Sequence, residues 1–414
     1  MSATVAAQPT GIELPVASTA AQHRVEWIDE LRGIAALAVA LVHSMTVLWL
    51  GLRGQPRGHG LPQLFDRVMA VLSIPAHYGY AGVMLFFLLS GFVIHLPFAG
   101  GRRPFEFVPY LTRRFFRIYP PYLVALLISL AIGAFLPSAY VFQLHLTSMD
   151  MGHVLRSFFL LQNYPHGGGP GMELAAYQPA SNMALWSLPV EMELYLAYPL
   201  LLLGLRAIPM ARLALGVAAV SIVATIVDVW IAAPDGSASN VANFQPTFLH
   251  YWVIWAAGAW LAERVATRTV PAWRTPYWIA LGILTVAALL ARPKFHLAYD
   301  FEEFLWAGVF FLAFLRLLQA NVSKKFAVFR PLAGIGLVSY SLYLIHVPTF
   351  LVIAALWGLG HTQLSANFGF CLVAVALVVP VAAVMYVLVE RPSIALGRRL
   401  SERKTNGAVT PHVG

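Results

Sequence analysis

The sequence predicts an all-α polytopic membrane protein of about ten transmembrane helices. Hydrophobic residues make up 59% of the 414 residues and charged residues only 11%, against roughly 25% charged in an ordinary soluble domain. Apolar runs of about 18 or more residues, each long enough to cross a bilayer as a helix, recur along almost the whole chain. The sequence lacks the short strands of alternating polarity that form a membrane β-barrel. A water-soluble enzyme is therefore excluded.

The apolar runs divide the chain into ten predicted spans. The first begins near Leu31, and the last contains Cys371, the only cysteine, so an internal disulfide and cysteine-based redox or metal chemistry are excluded. We expect a disordered cytoplasmic N-terminus at 1–24, a membrane domain at 25–395 and a cytoplasmic tail at 396–414. The ten spans cover residues 31–50, 78–98, 119–136, 186–205, 213–232, 248–262, 276–291, 301–318, 332–356 and 368–389.

Lys and Arg residues are concentrated in alternate connections between the spans. The connections after spans two, four, six, eight and ten hold most of them. Because basic residues accumulate on the cytoplasmic side, both termini are predicted to be cytoplasmic. The net charge of +9 comes from Lys and Arg residues that the prediction places at the bilayer surface. No nucleic-acid partner is therefore expected. The longest connection, 137–185, is predicted to lie outside, with an ordered piece at 155–161 on or in the membrane.

Three ionisable side chains of the first span share one helical face. His43 follows Arg32 by eleven residues, a rise of about 16 Å, and Asp29 precedes Arg32 by about one turn. Ionisable groups inside a membrane are costly and are functional candidates by default. A neutral histidine in an apolar pocket can act as a general base on a hydroxyl group. The alternative is that His43 only bonds a neighbouring helix.

A second basic cluster lies just before the third span. Arg114 and Arg117 are three residues apart and share a helical face with a geometry that suits phosphate oxygens, and Arg113 is adjacent to them. The alternative is a positively charged anchor on anionic lipid headgroups.

A polar face is predicted at the start of the fourth span. Glu191 lies four residues after Ser187 and four before Tyr195, so these three side chains share a face, whereas Glu193 points elsewhere. The carboxylate of Glu191 could orient a sugar hydroxyl or the histidine, or could be an interfacial group in water.

Other candidates are weaker. Ser90 in the second span, and Tyr343 and His346 three residues apart in the ninth, are explained equally well by helix packing. No metal is expected, because the sequence has no HExxH motif, no Walker A motif and no spaced set of metal ligands.

With these residues, the chain resembles the membrane acyltransferase-3 family of bacterial inner-membrane O-acyltransferases. Its signature is WIDELRGIAALAVALVHS, in which Arg32, ten residues and then His43 match the family's Arg and His motif. Further matches are FFLLSGFVI, RRFFRIYP, LWSLPVEMELY and SYSLYLIHVP, in the family's order across residues 25–392. The departures are Pro189 and Met192 beside Glu191. The chain resembles the stand-alone form, without an SGNH-type esterase domain.

The resemblance implies transfer of an acyl group, usually acetyl, from cytosolic acyl-CoA to a hydroxyl of a carbohydrate or glycolipid acceptor. Arg114 and Arg117, with Arg113, would bind the phosphates of acetyl-CoA. His43 would deprotonate the acceptor, with Arg32 and Asp29 setting its charge and Glu191 assisting; a covalent acyl-histidine stays open. The residues expected to bind substrate are Ser90, Trp186, Ser187, Tyr195, Tyr343 and His346.

Two rival functions come from other classes. A proton-coupled transporter or flippase of a glycan or lipid would use the same ionisable face of the first span, Asp29, Arg32 and His43, to relay protons. A non-catalytic membrane sensor would tolerate the loss of His43. The acceptor and the acyl chain length are not readable from the sequence.

Overall fold

The protein is an all-α bundle, which confirms the predicted class. A computed structural model describes residues 27–49, 61–135, 151–164, 182–232, 247–295, 299–319, 330–358 and 368–407, and no β-strand occurs in these stretches. The α-helices there are α1 (Ile28–Leu48), α2 (Leu61–Ser73), α3 (Gly82–His95), α4 (Phe107–Phe135), α5 (Met151–Phe158), α6 (Ser187–Leu205), α7 (Met210–Ala232), α8 (Phe248–Ala266), α9 (Thr275–Phe295), α10 (Tyr299–Gln319), α11 (Arg330–Leu337), α12 (Ser339–Gly358), α13 (Phe368–Met385) and α14 (Arg391–Gly407).

Seven helical stretches within the described residues are long and apolar enough to cross a membrane, as a polytopic protein requires. They are Ile28–Leu48, Arg67–Gly101, Phe107–Phe135, Met183–Leu205, Met210–Trp230, Ser339–Trp357 and Phe368–Glu402. These stretches correspond to predicted spans one to five, nine and ten. The other three predicted spans are also helical, in α8, α9 and α10. Helix α4 begins at Phe107, before the predicted start at 119, because the arginine-rich stretch is already helical.

Close packing of backbones holds the centre of the bundle together. Helices α3 and α8 cross at Gly91 and Gly258, where an added Cβ would lie 1.9 Å from the Trp255 carbonyl oxygen and 2.0 Å from that of Leu88, respectively. Helices α1 and α11 approach in the same way at Gly336, where a Cβ would lie 1.8 Å from the Asp29 carbonyl oxygen. Small residues at crossings are the usual means of packing membrane helices, because lipid gives no hydrophobic drive for their association.

Gly258→Ala is therefore expected to destabilise the protein, because the new methyl group would collide with the α3 backbone and force the helices apart. Gly282 in α9 has open space around its Cα and provides the matched control. Gly282→Ala should leave the melting temperature unchanged or raise it, since alanine favours helix by about 0.5–1 kcal/mol over glycine. Thermal melts of the two purified variants in detergent make the comparison, and equal melting temperatures would contradict this packing.

The C-terminal helix α14 lies against the first turns of α4. Gly397 approaches the Phe116 side chain closely, and Nη1 of Arg113 donates a hydrogen bond to the Ser401 hydroxyl at 3.3 Å. The chain enters α14 through a π-helical turn, Tyr386–Glu390. The predicted tail, 396–414, therefore begins inside a helix that continues to Gly407, because one face of that helix packs on α4.

Parts of the prediction lie outside the described residues. They include the predicted disordered segment 1–24, the last seven residues and most of the connection 137–185. Within that connection α5 is helical, and it is fixed to α4 because the hydroxyls of Tyr119 and Tyr122 donate to the carbonyls of Phe158 and Ser157 at 2.9 and 2.7 Å.

Candidate active site

A cavity of about 330 Å³ lies among α1, α3, α4, α6, α12 and α14. Along α3 its lining runs from Ile94 back to Val83, eleven steps that correspond to about 17 Å of helix, and Pro97 continues it just past the end of α3. The lining residues are Arg32, Val83, Phe86, Phe87, Leu89, Ser90, Val93, Ile94, Pro97, Arg113, Arg114, Arg117, Ile118, Ser187, Leu188, Glu191, Tyr195, Ser339, Tyr340, Tyr343, Ile394 and Arg398.

Five arginines make one end of this cavity strongly basic. Arg113, Arg114 and Arg117 come from α4, Arg32 from α1 and Arg398 from α14. The guanidinium of Arg114 lies over the rings of Tyr110 and Tyr195, 5.9 and 5.7 Å from their centroids. Its Nε atom is buried and has no hydrogen-bond partner within the described part of the chain. This end of the cavity is suited to an anionic ligand with several phosphate oxygens.

Carboxylates behind the arginines offset part of this charge. Asp29 lies 3.8 Å from Nη1 of Arg32. Glu390, which is 1% exposed, accepts hydrogen bonds from the backbone N–H and the hydroxyl of Ser341 at 3.2 and 2.6 Å. Glu390 belongs to the turn Tyr386–Glu390, which packs against α4, the helix of Arg117. The charge of the basic end is thus partly compensated by carboxylates, which leaves it net positive.

The predicted polar face of α6 lines the middle of the cavity. Glu191 accepts a hydrogen bond from the Tyr195 hydroxyl and a second one, at 3.4 Å, from the hydroxyl of Ser90. The indole N–H of Trp255 donates to Ser90 at 3.4 Å. Glu193 points away, as expected, and accepts from the Tyr164 hydroxyl at 2.7 Å and from the backbone N–H of Phe248 at 3.2 Å. The sharing of one face by Glu191 and Tyr195, expected from their spacing, is visible in this hydrogen bond.

Ser187 and Tyr343 meet at the far end of the cavity. Their hydroxyl oxygens are 2.7 Å apart. The Tyr343 ring packs edge-on against Phe86, with a centroid separation of 5.9 Å, and lies 5.8 Å from the ring of His346. Tyr343 therefore stands between the cavity and His346.

His43 and His346 form a pair beyond Tyr343. Nδ1 of His43 lies 2.7 Å from Nε2 of His346, and the two rings stack with centroids 5.0 Å apart and an interplanar angle of 6°. Neither ring lines the cavity. The contact joins two residues that are 303 positions apart in the sequence.

The hydrogen bonds of the pair determine which nitrogen of His43 is free to act as a base. Nδ1 of His346 lies 3.0 Å from the Leu342 carbonyl oxygen, which can only accept. In the neutral pair, Nδ1 of His346 is therefore the protonated nitrogen, so its Nε2 accepts and Nδ1 of His43 donates. Nε2 of His43 then carries a lone pair, as a general base requires.

The structure thus brings most of the predicted residues together around one cavity. Those that line it are Arg32, Ser90, Arg113, Arg114, Arg117, Ser187, Glu191, Tyr195 and Tyr343. Asp29 contacts Arg32 from outside the lining. Trp186 is also outside it and packs on Tyr251 with ring centroids 5.6 Å apart. The contact to His43 is made by His346, and within the described residues neither Arg32 nor Asp29 bonds His43 directly.

Several lining residues were not predicted from the sequence. Arg398 belongs to the segment 396–414, which was predicted to be a tail, and Ile394 lies four residues before it on the same helical face. Phe86 and Phe87 open the motif FFLLSGFVI, but the sequence assigns these two rings no role of their own. Among the described residues, no group of three or more His, Cys, Asp or Glu side chains could hold a metal ion.

A second buried histidine lies apart from this cavity. His250 contacts the hydroxyl of Thr225 through Nδ1 at 2.7 Å and Oε2 of Glu303 through Nε2 at 3.1 Å. The hydroxyl of Tyr251 donates to the same Glu303 oxygen at 3.0 Å. These bonds connect α7, α8 and α10, so the cluster has a clear structural role in joining three helices.

Comparisons with known proteins show the family of the chain. Residues 25–388 match the family model described as an acyltransferase domain. YrhL of Bacillus subtilis, whose provisional name is peptidoglycan O-acetyltransferase, is 24% identical over 364 residues, covering 82% of this chain and 55% of that protein. The peptidoglycan O-acetyltransferase OatA of Listeria monocytogenes is 24% identical over 309 residues, covering 68% of this chain and 48% of that protein. The chain spans about half the length of these curated relatives. No solved structure matches it.

Proposed function

Because the chain belongs to the acyltransferase domain family, we propose that it transfers an acyl group, normally acetyl, from acyl-CoA to a hydroxyl of a carbohydrate or glycolipid acceptor. One observation carries the proposal: a cavity has five arginines at one end and a histidine pair just beyond the other. The names of both relatives support a carbohydrate acceptor.

The arginine end would hold the donor. Arg113, Arg114 and Arg117 would bind the phosphates of CoA, and Arg398 would add a further contact from α14. The pantetheine arm would then run along α3 toward Ser90 and Tyr343. The stretch of about 17 Å that the lining covers along α3 suits an extended arm of this kind. Arg32, held by Asp29, would contact the donor from the wall of the cavity. It would not contact His43.

His43 would act as the general base. Its Nε2 would remove the proton of the acceptor hydroxyl, whose oxygen attacks the thioester carbonyl. The carbon–sulfur bond breaks, and the proton on His43 passes to the leaving thiolate, which gives free CoA. His346 would orient His43 and fix its tautomer through Leu342. Because Tyr343 separates the cavity from the pair, its ring must turn away from Ser187 for the transfer.

Glu191 would assist from the middle of the cavity. Its hydrogen bonds to Tyr195 and Ser90 place the carboxylate where it can accept a hydrogen bond from a hydroxyl of the substrate. Substrate binding would be completed by Ser187, Tyr343 and His346. Trp186 would support these residues from outside the cavity lining. Residues 25–395 would form the acyltransferase domain in a bacterial inner membrane.

The orientation of this domain leads to a direct prediction. The Lys and Arg asymmetry predicts that reporter fusions after Leu205 and after Gly414 report the cytoplasm and that a fusion near Pro170 reports the outside. The arginine end of the cavity would then face cytosolic CoA. Paired phosphatase and fluorescent-protein fusions measure this, and a cytoplasmic signal at Pro170 would contradict the ten-span topology.

Turnover by the purified protein tests the function itself. Labelled acetyl-CoA and a peptidoglycan or polysaccharide fragment are added to proteoliposomes, and free thiol and labelled product are measured together. We expect thiol release that depends on the acceptor, with one acetyl group transferred per thiol. Movement of a glycan or lipid across the vesicle without thiol release would favour the transporter instead.

A further inference from the structure

The end of the cavity opposite the arginines has an apolar wall. Three residues of α3 form it: Val83, Phe86 and Phe87. They lie one to two turns beyond Ser90, which contacts Glu191 in the middle of the cavity. At the other end of the lining, Phe98, next to Pro97, packs near Tyr110, the residue under Arg114. The order along α3 therefore runs from the basic end, through Ser90, to the aromatic wall.

A second layer of side chains supports the wall. Phe87 is 3% exposed and packs on Tyr251 with ring centroids 4.8 Å apart. Tyr251 in turn packs on Trp186 and bonds Glu303. Phe86 is supported by Tyr343. Because protein interiors are close-packed, Phe87 cannot retreat without moving Tyr251 and Trp186, and Phe86 is confined as long as Tyr343 keeps the position seen here.

The volume of the cavity leads to the same conclusion. At about 330 Å³ it lies at the lower end of the roughly 300–1,000 Å³ range of small-molecule pockets. A donor whose phosphates lie at the arginines must place its pantetheine arm in this space. The thioester then reaches the wall, with little volume left for the acyl chain.

We infer that Phe86 and Phe87 are specificity-determining residues that restrict the acyl group to short chains such as acetyl and exclude medium chains such as octanoyl. The inference rests on the proposed function, because it takes acyl-CoA as the donor and the arginines as its phosphate site. It adds the substrate class and names the residues that select it.

Both phenylalanines line the cavity. Phe86 is the better residue to change, because it is only partly buried, whereas Phe87 is buried against Tyr251. Wild-type protein should use octanoyl-CoA about 10- to 100-fold less efficiently than acetyl-CoA, as expected for overfilling a packed site. Phe86→Ala should raise kcat/KM for octanoyl-CoA about tenfold relative to acetyl-CoA, since removing one ring relieves most of that overfilling. Acetyl-, butyryl- and octanoyl-CoA are compared with one acceptor.

The matched control is Phe92→Ala on the same helix. Phe92 is fully buried, packs on Phe314 at 4.9 Å and does not line the cavity. It should lower the melting temperature without changing the preference for chain length. Should Phe86→Ala fail to fold, Phe86→Leu removes less volume and should improve butyryl-CoA use.

Two results would overturn the inference, and they differ from a failure of the proposed function. Wild-type protein that uses octanoyl-CoA as well as acetyl-CoA would show that the wall does not select. A folded Phe86→Ala or Phe86→Leu variant with an unchanged chain-length profile would show the same. Absence of turnover with every acyl-CoA would instead refute the donor itself, and the inference with it.

Discussion

Replacing His43 with alanine is expected to lower the rate of acyl transfer by about 10²- to 10⁴-fold, the range for loss of a general base. The reason is the position of Nε2, which the contact with His346 leaves unprotonated in the neutral pair. The acyl-CoA KM should change little, because His43 does not line the donor cavity. Initial rates of acceptor-dependent thiol release across a range of pH measure both constants.

His346 offers a second test of the same argument. His346→Ala should lower kcat strongly while leaving Nε2 of His43 in place, because Nδ1 of His43 then loses the acceptor that fixes its tautomer. His77→Ala is the matched control, since His77 is an exposed histidine whose Nδ1 bonds the Ser73 carbonyl oxygen at 2.9 Å, away from the cavity. A folded His43→Ala variant with near-normal turnover would assign His43 to packing.

The helices of this protein could be predicted from the sequence because each apolar run is a local signal. All ten predicted spans fall on helices within the described residues, although span nine is divided between α11 and α12. The predictions were weakest where polar residues continue a helix. The start of α4 and the whole of α14 are examples. Both are amphipathic, and they pack on each other through the contacts of Gly397 with Phe116 and of Ser401 with Arg113. The periodic pattern of either segment does not identify the distant segment that it contacts.

The site could be predicted in part for the same reason. Spacing within one helix related Glu191 to Tyr195, and their hydrogen bond is present. Spacing in α1 also placed Arg32 and His43 on one face, but the two ends of that face have different surroundings. Arg32 lines the cavity, whereas His43 contacts α12 beyond Tyr343. The partnership of His43 with His346 spans most of the chain and is invisible to any helical period.

Arg114 and Arg117 are the residues on which donor affinity should depend most. Both line the basic end of the cavity, and Nε of Arg114 is a buried donor without a hydrogen-bond partner among the described residues. A hydrogen bond to a charged group contributes about 1.5–3 kcal/mol, so each guanidinium that binds a phosphate would account for about a tenfold or larger effect. A lipid-anchoring role would give no such dependence, because lipid headgroups are present in excess.

The double variant Arg114→Ala/Arg117→Ala is therefore expected to raise the KM for acyl-CoA by about 100-fold or more, with little change in the KM for the acceptor. Lysine at both positions should restore only part of the affinity, since an ammonium group cannot form the two-pronged contact of a guanidinium. Arg212→Ala provides the control, because Arg212 is an exposed arginine of α7 outside the cavity. Steady-state kinetics in proteoliposomes measure all four proteins. An inserted, folded double variant with unchanged donor KM would return the cluster to a lipid-anchoring role.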